Sequence, residues 1–167
     1  DRRQRQMCIR DSSNGGCKLS DSDNDNIPNI KDNCPNESGL TSLNGCPAIP
    51  ESLSEFLEEN SEYFFDFDSF YLDQKQKNNI SDLSRILIQF NYIKIGIEGH
   101  ASYEGESSYN LLLSNRRSFS VKDQLIKNGV KESRINIYNY GEEKPKYSDS
   151  PLSEREKNRR AVITVEK

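Results

Sequence analysis

The residues with the clearest chemical potential lie between positions 21 and 32, where the sequence reads DSDNDNIPNIKD. Asp21, Asp23, Asp25, Asn29 and Asp32 set oxygen-bearing side chains at loop positions 1, 3, 5, 9 and 12. A main-chain carbonyl at Ile27 would complete the spacing with which a twelve-residue loop wraps a calcium ion. Position 6, glycine in most such loops, is Asn26, the next best residue for a positive φ. The last ligand is Asp32 rather than glutamate, a change at a position that grips the ion. A disordered acidic linker is the plain alternative, but carboxylates and an amide at this spacing exceed what solvation requires. Ca2+ is therefore the expected cofactor.

A second stretch, Gly99 to Arg117 (GHASYEGESSYNLLLSNRR), gathers His100, Ser102, Glu104, Asn110 and Arg117 where a buried strand stops, a polar loop turns and a helix begins. Such a corner points backbone N–H groups and the first helical turns at whatever sits in front of it. His100, Ser102 and Glu104 superficially offer base, nucleophile and orienter, yet three such residues so close together in one loop rarely reach triad geometry. No carboxylate pair has a glycosidase setting either, so catalysis is not expected. His100 reads as a packed strand-end histidine. Arg117 has a plain reading as a structural ion pair with Glu98 or Glu106. Asn110 has a plain reading as a helix cap.

All four cysteines, Cys8, Cys17, Cys34 and Cys46, fall in the first 46 residues, the clustering of an oxidised small module. Asn14-Gly15-Gly16 precedes Cys17 and Asn44-Gly45 precedes Cys46. This repeat suggests loops closed by Cys8–Cys17 and Cys34–Cys46, although four cysteines allow three connectivities. Zinc competes with this reading and is disfavoured, because no Cys-x-x-Cys pair occurs and the single histidine lies far away.

The elements that must position these residues follow from periodicity. Cys46-Pro47-Ala48-Ile49-Pro50 makes a short stiff hinge, dividing a module over 1–50 from a domain over 51–167. A polar amphipathic lead over Glu51 to Glu59 precedes an expected first strand at Phe64-Phe65-Asp66-Phe67. A helix follows from its cap at Asp73, with an apolar stripe of Ile80, Leu83, Leu87 and Phe90. Ile93, Ile95 and Ile97 alternate with Lys94, Gly96 and Glu98, which predicts a strand over 93–98. A helix over 110–127 stops at Asn128-Gly129. Strands over 135–140 and 160–165, with a short helix near 152–157 between them, complete the domain. Two strand-helix-strand crossovers with an extra edge strand give an α/β (α+β) two-layer sandwich of βαβαβ type.

Four motifs occur in order across this domain: Phe64-Phe65-Asp66-Phe67-Asp68-Ser69; Gly99-His100 with Tyr109-Asn110-x-x-Leu113-Ser114-x-x-Arg117; Tyr140-Gly141-Glu142-Glu143-Lys144-Pro145; and Asn158-Arg159-Arg160-Ala161-Val162. From about Tyr63 to Val165 the chain resembles the peptidoglycan-binding domain of the OmpA-like family, found in outer-membrane proteins, Pal lipoproteins and flagellar-motor stators. The resemblance implies the two-layer fold and a pocket that clamps the zwitterionic end of diaminopimelate in the peptidoglycan stem peptide. In the family an aspartate after Gly-His-Thr takes the ammonium, and the helix arginine takes the carboxylate in a charge-assisted pair. Arg117 matches that arginine, Asn110 and Leu113 match pocket-lining positions, and Phe67 and Asp68 match the loop after the first strand. Ala101 stands where the threonine would be, and Ser102 occupies the place of the aspartate. Removing one member of a paired, partly buried charge contact typically costs about 2–5 kcal/mol. Glu104, Glu106 or Asp68 would have to supply the missing carboxylate. Arg159-Arg160 resembles the pair that holds the family fold beside the pocket.

The first module also has a resemblance. Asp-x-Asp-x-Asp followed by Lys31-Asp32-Asn33-Cys34-Pro35 is similar to a thrombospondin type 3 repeat, a calcium-filled, disulfide-linked module. No amphipathic helix flanks the loop, so an EF-hand is not expected.

Hydrophobic content of 32% is low for a single globule of 167 residues, which fits a chain whose first third lacks an ordinary apolar core. The net charge of -4 is shared between both parts, so neither is a polycation and nucleic acid is not an expected partner. No apolar run is long enough to span a membrane, and Asp1-Arg2-Arg3 is not a signal peptide. The chain reads as an excised soluble portion. The expected function is non-catalytic, periplasm-facing anchoring of a bacterial outer-membrane protein or lipoprotein, bound non-covalently to peptidoglycan. A degenerate domain docking to other envelope proteins is the alternative.

Overall fold

The computed structural model describes residues 9–10, 17–148 and 151–166, with side chains from residue 19 on. The chain divides into two compact units, 1–49 and 50–167.

In the first unit β1 (Ile9–Arg10) pairs antiparallel with β2 (Cys17–Lys18). Beyond them the chain is loop, shaped by a single 3-10 turn at Thr41–Leu43 and by a Cys34–Cys46 disulfide whose Cα atoms lie 5.0 Å apart. The Asn-Gly before Cys46 has a conformational reason. Asn44 and Gly45 both adopt left-handed backbone, at φ 51 and 84, and a Cβ on Gly45 would fall 1.9 Å from Asp32 Oδ1. Only glycine satisfies both demands. The second expected pairing, Cys8–Cys17, lies outside the described residues because Cys8 does.

The second unit runs α1 (Glu51–Asn60), β3 (Glu62–Phe64), α2 (Gln74–Gln89), β4 (Lys94–Gly99), α3 (Ser107–Lys127), β5 (Ile135–Asn139), α4 (Leu152–Glu156) and β6 (Arg160–Glu166). Its four strands are ordered β3-β6-β4-β5. β4 and β5 are parallel, while β6 is antiparallel to both β3 and β4. This is the mixed α/β class that periodicity implied, with one correction. The strand added to the two crossovers is β6, and it lies inside the sheet rather than at an edge. β3 and β4 run the same way with a gap between them, and the returning antiparallel strand fills it.

The core is built from the stripes that the sequence displays. Ile80, Leu83 and Leu87 of α2, Val121 and Leu125 of α3, Ile95 and Ile97 of β4 and Ile163 of β6 join Leu53, Tyr63 and Phe65 in one buried cluster. α2 starts with a full capping box, the Asp73 carboxylate accepting from Gln76 N while the Gln76 amide oxygen accepts from Asp73 N, which satisfies two otherwise orphaned donors.

Two of the boundary differences from the periodicity bear on the site. β3 ends at Phe64 rather than 67, because Asp68 takes a left-handed conformation at φ 52 and turns the chain out of the sheet. Phe65 stays in the core and its N–H donates to Arg159 O at 2.8 Å. α3 begins at Ser107 rather than 110, so Asn110 lies inside the first helical turns and does not cap them. β4 and α3 approach closely at Gly99, where a Cβ would sit 2.1 Å from Ser114 O.

Candidate functional site

Arg117 is the largest wholly buried side chain among the described residues, with 0% relative exposure. Its guanidinium fastens two loops. Nε donates to Ser69 O at 2.9 Å, Nη2 to Asp66 O at 3.3 Å and Nη1 to His100 O at 3.0 Å. The Phe65 ring lies 5.5 Å from its central carbon. Burial, and secondarily the neighbouring Arg159, lowers its pKa to about 10. Neither Glu98 nor Glu106 pairs with it, so the structural role weighed from sequence is real but takes main-chain carbonyls instead of carboxylates. In this arrangement its donors face the protein interior and not solvent.

Around Arg117 the remaining corner residues separate into a buried floor and an exposed rim. Ala101, Ser102, Asn110 and Leu113 are buried, whereas Phe67 is 68% exposed and Asp68 is exposed. Tyr109 Oη donates to the Asp68 carboxylate, and Asn110 Nδ2 donates to Glu142. Ala101 N donates to Gly141 O at 2.7 Å, and Gly141 N donates to Ser114 Oγ at 3.1 Å. Three segments, 66–69, 100–106 and 140–142, therefore meet at the start of α3.

Ser102 does not act alone in the place of the expected aspartate. Its hydroxyl donates to Glu104 Oε2 at 2.8 Å, and Glu104 Oε1 is paired with Arg155 Nη2 at 3.2 Å. Arg155 Nη1 donates to Tyr103 Oη at 2.8 Å and the guanidinium lies 5.3 Å from the Tyr103 ring. Gly105, at φ 98, turns the loop immediately after Glu104. Glu106, the other nearby candidate, is exposed. The nucleophile-base geometry is not assembled, since Ser102 is committed to Glu104. His100 is buried with neither ring nitrogen hydrogen-bonded among the described residues. Its Nε2 lies 3.7 Å from Glu98 Oε2 and its ring 5.4 Å from that of Tyr140. Burial first, then Arg160 and Lys144, lowers its pKa to about 4.

In the first unit the carboxylates of Asp21, Asp23 and Asp25 have oxygens within 4.8 Å of one another. The loop is wound by its own aspartates. Asp21 accepts from Asn24 N and Asn26 N, Asp23 from Asp25 N, and Asp25 from Ile27 N and Gly39 N. Asn24 and Asn26 are left-handed at φ 63 and 71, as position 6 requires. Asp32 Oδ1 accepts from Cys34 N at 2.7 Å. Asp23 Oδ2 and Asp32 Oδ2 are buried without a hydrogen-bond partner among the described residues. Desolvation, and after it the Asp25 and Asp32 carboxylates, holds Asp23 above the usual carboxylate range. Buried carboxylate oxygens without donors fit a hard cation with oxygen ligands. Asn29 instead uses its amide on Ser22, accepting from its N–H and donating to its hydroxyl.

Sequence reasoning passed over Arg155 and gave no individual role to Glu142 and Asn158, both quoted within motifs. Arg155 is 52 residues from Tyr103, and nothing local marks it. Asn158 stood in a quoted motif and proves structural: its Oδ1 accepts from Lys146 N and Tyr147 N and its Nδ2 donates to Tyr147 O. Arg159 and Arg160 are also buried, reaching Phe65 O and Glu62.

Comparison with known proteins agrees with this architecture. Residues 64–159 match the OmpA family model. The chain is 33% identical over 150 residues to outer membrane porin F of Pseudomonas aeruginosa, covering 88% of this chain and 42% of that protein's length. It is 34% identical over 133 residues to the peptidoglycan-associated lipoprotein of Mesorhizobium japonicum, covering 78% of this chain and 79% of that one. Among solved structures, the peptidoglycan-associated lipoprotein of Burkholderia pseudomallei superposes with a TM-score of 0.63 at 26% identity, over 65% of this chain and 92% of that one. The C-terminal domain of Helicobacter pylori MotB shares the fold, at a TM-score of 0.58 and 22% identity, over 64% of this chain and 84% of that one. This chain belongs to the OmpA family.

Proposed function

We propose that this chain is a non-catalytic anchoring portion of a bacterial outer-membrane-associated protein, facing the periplasm and binding peptidoglycan non-covalently. The ligand group is the zwitterionic side-chain end of diaminopimelate in the stem peptide, taken up at the corner formed by residues 66–69, 101–106 and the start of α3. One observation carries this reading. Hydrogen bonds from Tyr109, Asn110 and Ser102 fix three carboxylates, those of Asp68, Glu142 and Glu104, around the first turns of α3. Relatives named as peptidoglycan-associated lipoproteins support it. Among the described residues no helix is long and apolar enough to cross a membrane.

The first unit, on this reading, is a calcium-binding module of the thrombospondin type 3 kind. Asp21, Asp23, Asp25 and Asp32, with the Ile27 carbonyl, would hold Ca2+. The ion would neutralise crowded carboxylates and order the loop on binding.

Calorimetric titration of a soluble stem tetrapeptide with diaminopimelate at its third position, beside sedimentation with purified peptidoglycan, tests the wall reading. Saturable binding in both is expected. No binding in either, by protein that remains folded, refutes it. The burial of Arg117 favours a second reading, in which the domain kept its fold and docks to another envelope protein, and that negative result would select it.

A further inference from the structure

Tyr71 is the most exposed large apolar side chain among the described residues, at 76%, yet its ring is held in place. It stacks on Phe70 with centroids 4.6 Å apart and planes 29° from parallel. Phe70 is fastened to α3 in turn: the Ser120 hydroxyl donates to its carbonyl at 2.6 Å, and the Arg116 guanidinium lies 5.5 Å from its ring. Behind the pair, Tyr71 N donates to Ser69 Oγ at 3.2 Å, and Arg117 Nε holds Ser69 O. We propose that the Phe70–Tyr71 pair is a sugar-stacking subsite, which takes a pyranose ring of the glycan strand that carries the stem peptide. This rests on reading the chain as a peptidoglycan binder, and the subsite lies beside the corner at the start of α3 rather than in it.

The chemistry of the two partners matches. Axial C–H bonds of a pyranose carry slight positive charge and seat on the negative face of an aromatic ring, so a flat, open ring collects them best. Because Phe70 already holds Tyr71, the side chain loses little freedom when a ligand covers it. Arg116 is exposed beside the pair and offers guanidinium donors to sugar hydroxyls and N-acetyl carbonyls. Reach selects a glycan over other occupants. Tyr71 stands three residues from Asp68 at the corner, roughly 11 Å of extended chain at most. In peptidoglycan two residues separate the third residue of the stem from the sugar that bears it, roughly 10 Å when the linkage is extended. A wall fragment whose peptide lies at the corner therefore carries its sugar within reach of Tyr71.

The test titrates three probes into the full chain: a stem tetrapeptide with diaminopimelate third, the same peptide on its N-acetylglucosamine–N-acetylmuramic acid disaccharide, and a peptide-free N-acetylglucosamine tetramer. Wild type, Tyr71→Ala and Tyr71→Phe are compared by calorimetry and by amide shifts in NMR, with the unfolding temperature and sedimentation of each measured. The wild type should bind the disaccharide peptide about three- to tenfold more tightly than the bare peptide. The tetramer alone should shift amides within 69–73 and 116–120. Tyr71→Ala should erase both effects while it binds the bare peptide within about twofold and stays folded, as a change at an exposed side chain allows. Tyr71→Phe should keep both, since stacking needs the ring and not the hydroxyl. The inference is overturned if the disaccharide adds nothing, or if its advantage survives in Tyr71→Ala. It is likewise overturned if Tyr71→Ala loses the bare peptide too, since the ring would then merely brace the corner, or if that variant changes only self-association, which would give the ring to a second copy. A tetramer that shifts these amides beside a bare peptide that does not bind refutes the stem-peptide pocket and leaves the sugar subsite standing. Silence from all three probes refutes both.

Discussion

Replacing Arg117 by methionine keeps most of the side chain's length and removes every donor, which exposes what the guanidinium does for the fold. Three carbonyls from two loops would lose their partner. Hydrogen bonds to charged groups contribute about 1.5–3 kcal/mol each, so the gross loss is about 5–9 kcal/mol. Against it stands the cost of keeping the cation out of water. A pKa lowered from 12.5 to about 10 corresponds to about 3 kcal/mol against the charged form at neutral pH. The difference, about 2–6 kcal/mol, is a large share of the roughly 5–15 kcal/mol that holds an ordinary domain together. For a unit of this size that translates into a melting temperature lower by roughly 10–20 °C. Far-UV circular dichroism of the full chain reads it directly, since α1, α2 and α3 lie in the second unit. Arg117→Lys should recover little, because one ammonium cannot fork to three carbonyls. If Arg117→Met melted within about 2 °C of the wild type, the loops would be held by something else.

Other perturbations have equally definite signs. Because burial keeps His100 neutral, with a pKa of about 4 against an ordinary 6.5, the unfolded chain takes up the proton first as pH falls. The stability contributed by the neutral ring is complete above pH 6.5 and is lost between 6.5 and 4, by up to about 2 kcal/mol after allowing for screening. Denaturation across that range should show the slope in the wild type and a flatter one in His100→Phe; equal slopes would reject it. Gly99→Ala, which drives a Cβ to 2.1 Å from Ser114 O, should destabilise the second unit by about 1–3 kcal/mol or more, measured by urea unfolding; a neutral result would mean that α3 shifts freely. Calcium at a hundred times its dissociation constant should stabilise the first unit by about 2.7 kcal/mol and slow proteolysis within residues 20–46, while EDTA leaves the helical melt unchanged. Equal shifts in both would show that the units do not unfold independently.

Much of this molecule can be read from its sequence because its elements are strongly periodic. The isoleucines of β4, the stripe of α2 and the Asp73 cap each follow from local spacing, and the structure holds them where spacing puts them. Boundaries were less legible at 64–69 and 107–110, where a left-handed Asp68 and an uncapped helix start override the apolar pattern. The state of the corner was least legible. Whether Arg117 faces a ligand or three carbonyls depends on how the 66–69 loop folds back over α3, and Arg155 of α4 meets Glu104 from a distant part of the sequence. Such contacts leave no periodic trace. In the acidic loop, by contrast, the spacing of oxygen-bearing side chains and the backbone conformation are both local, and Asn26 is left-handed, as an asparagine there can be.

The place of β6 has a consequence for how the domain comes into being. Residues 160–166 are made after the other three strands of this sheet, yet they separate β3 from β4. Until they emerge, β3 has no neighbour in the sheet, and β4 and β5 form a parallel pair open along both outer edges. During synthesis the second unit would therefore have strand edges unprotected, a state prone to aggregation. Closure is a late, long-range event, pairing residues 62–64 with 160–162, and such pairings are slow because a long loop must close before any contact rewards it. A chain stopped before residue 160 would lack the centre of its sheet, and a holding chaperone would find its best target in this interval.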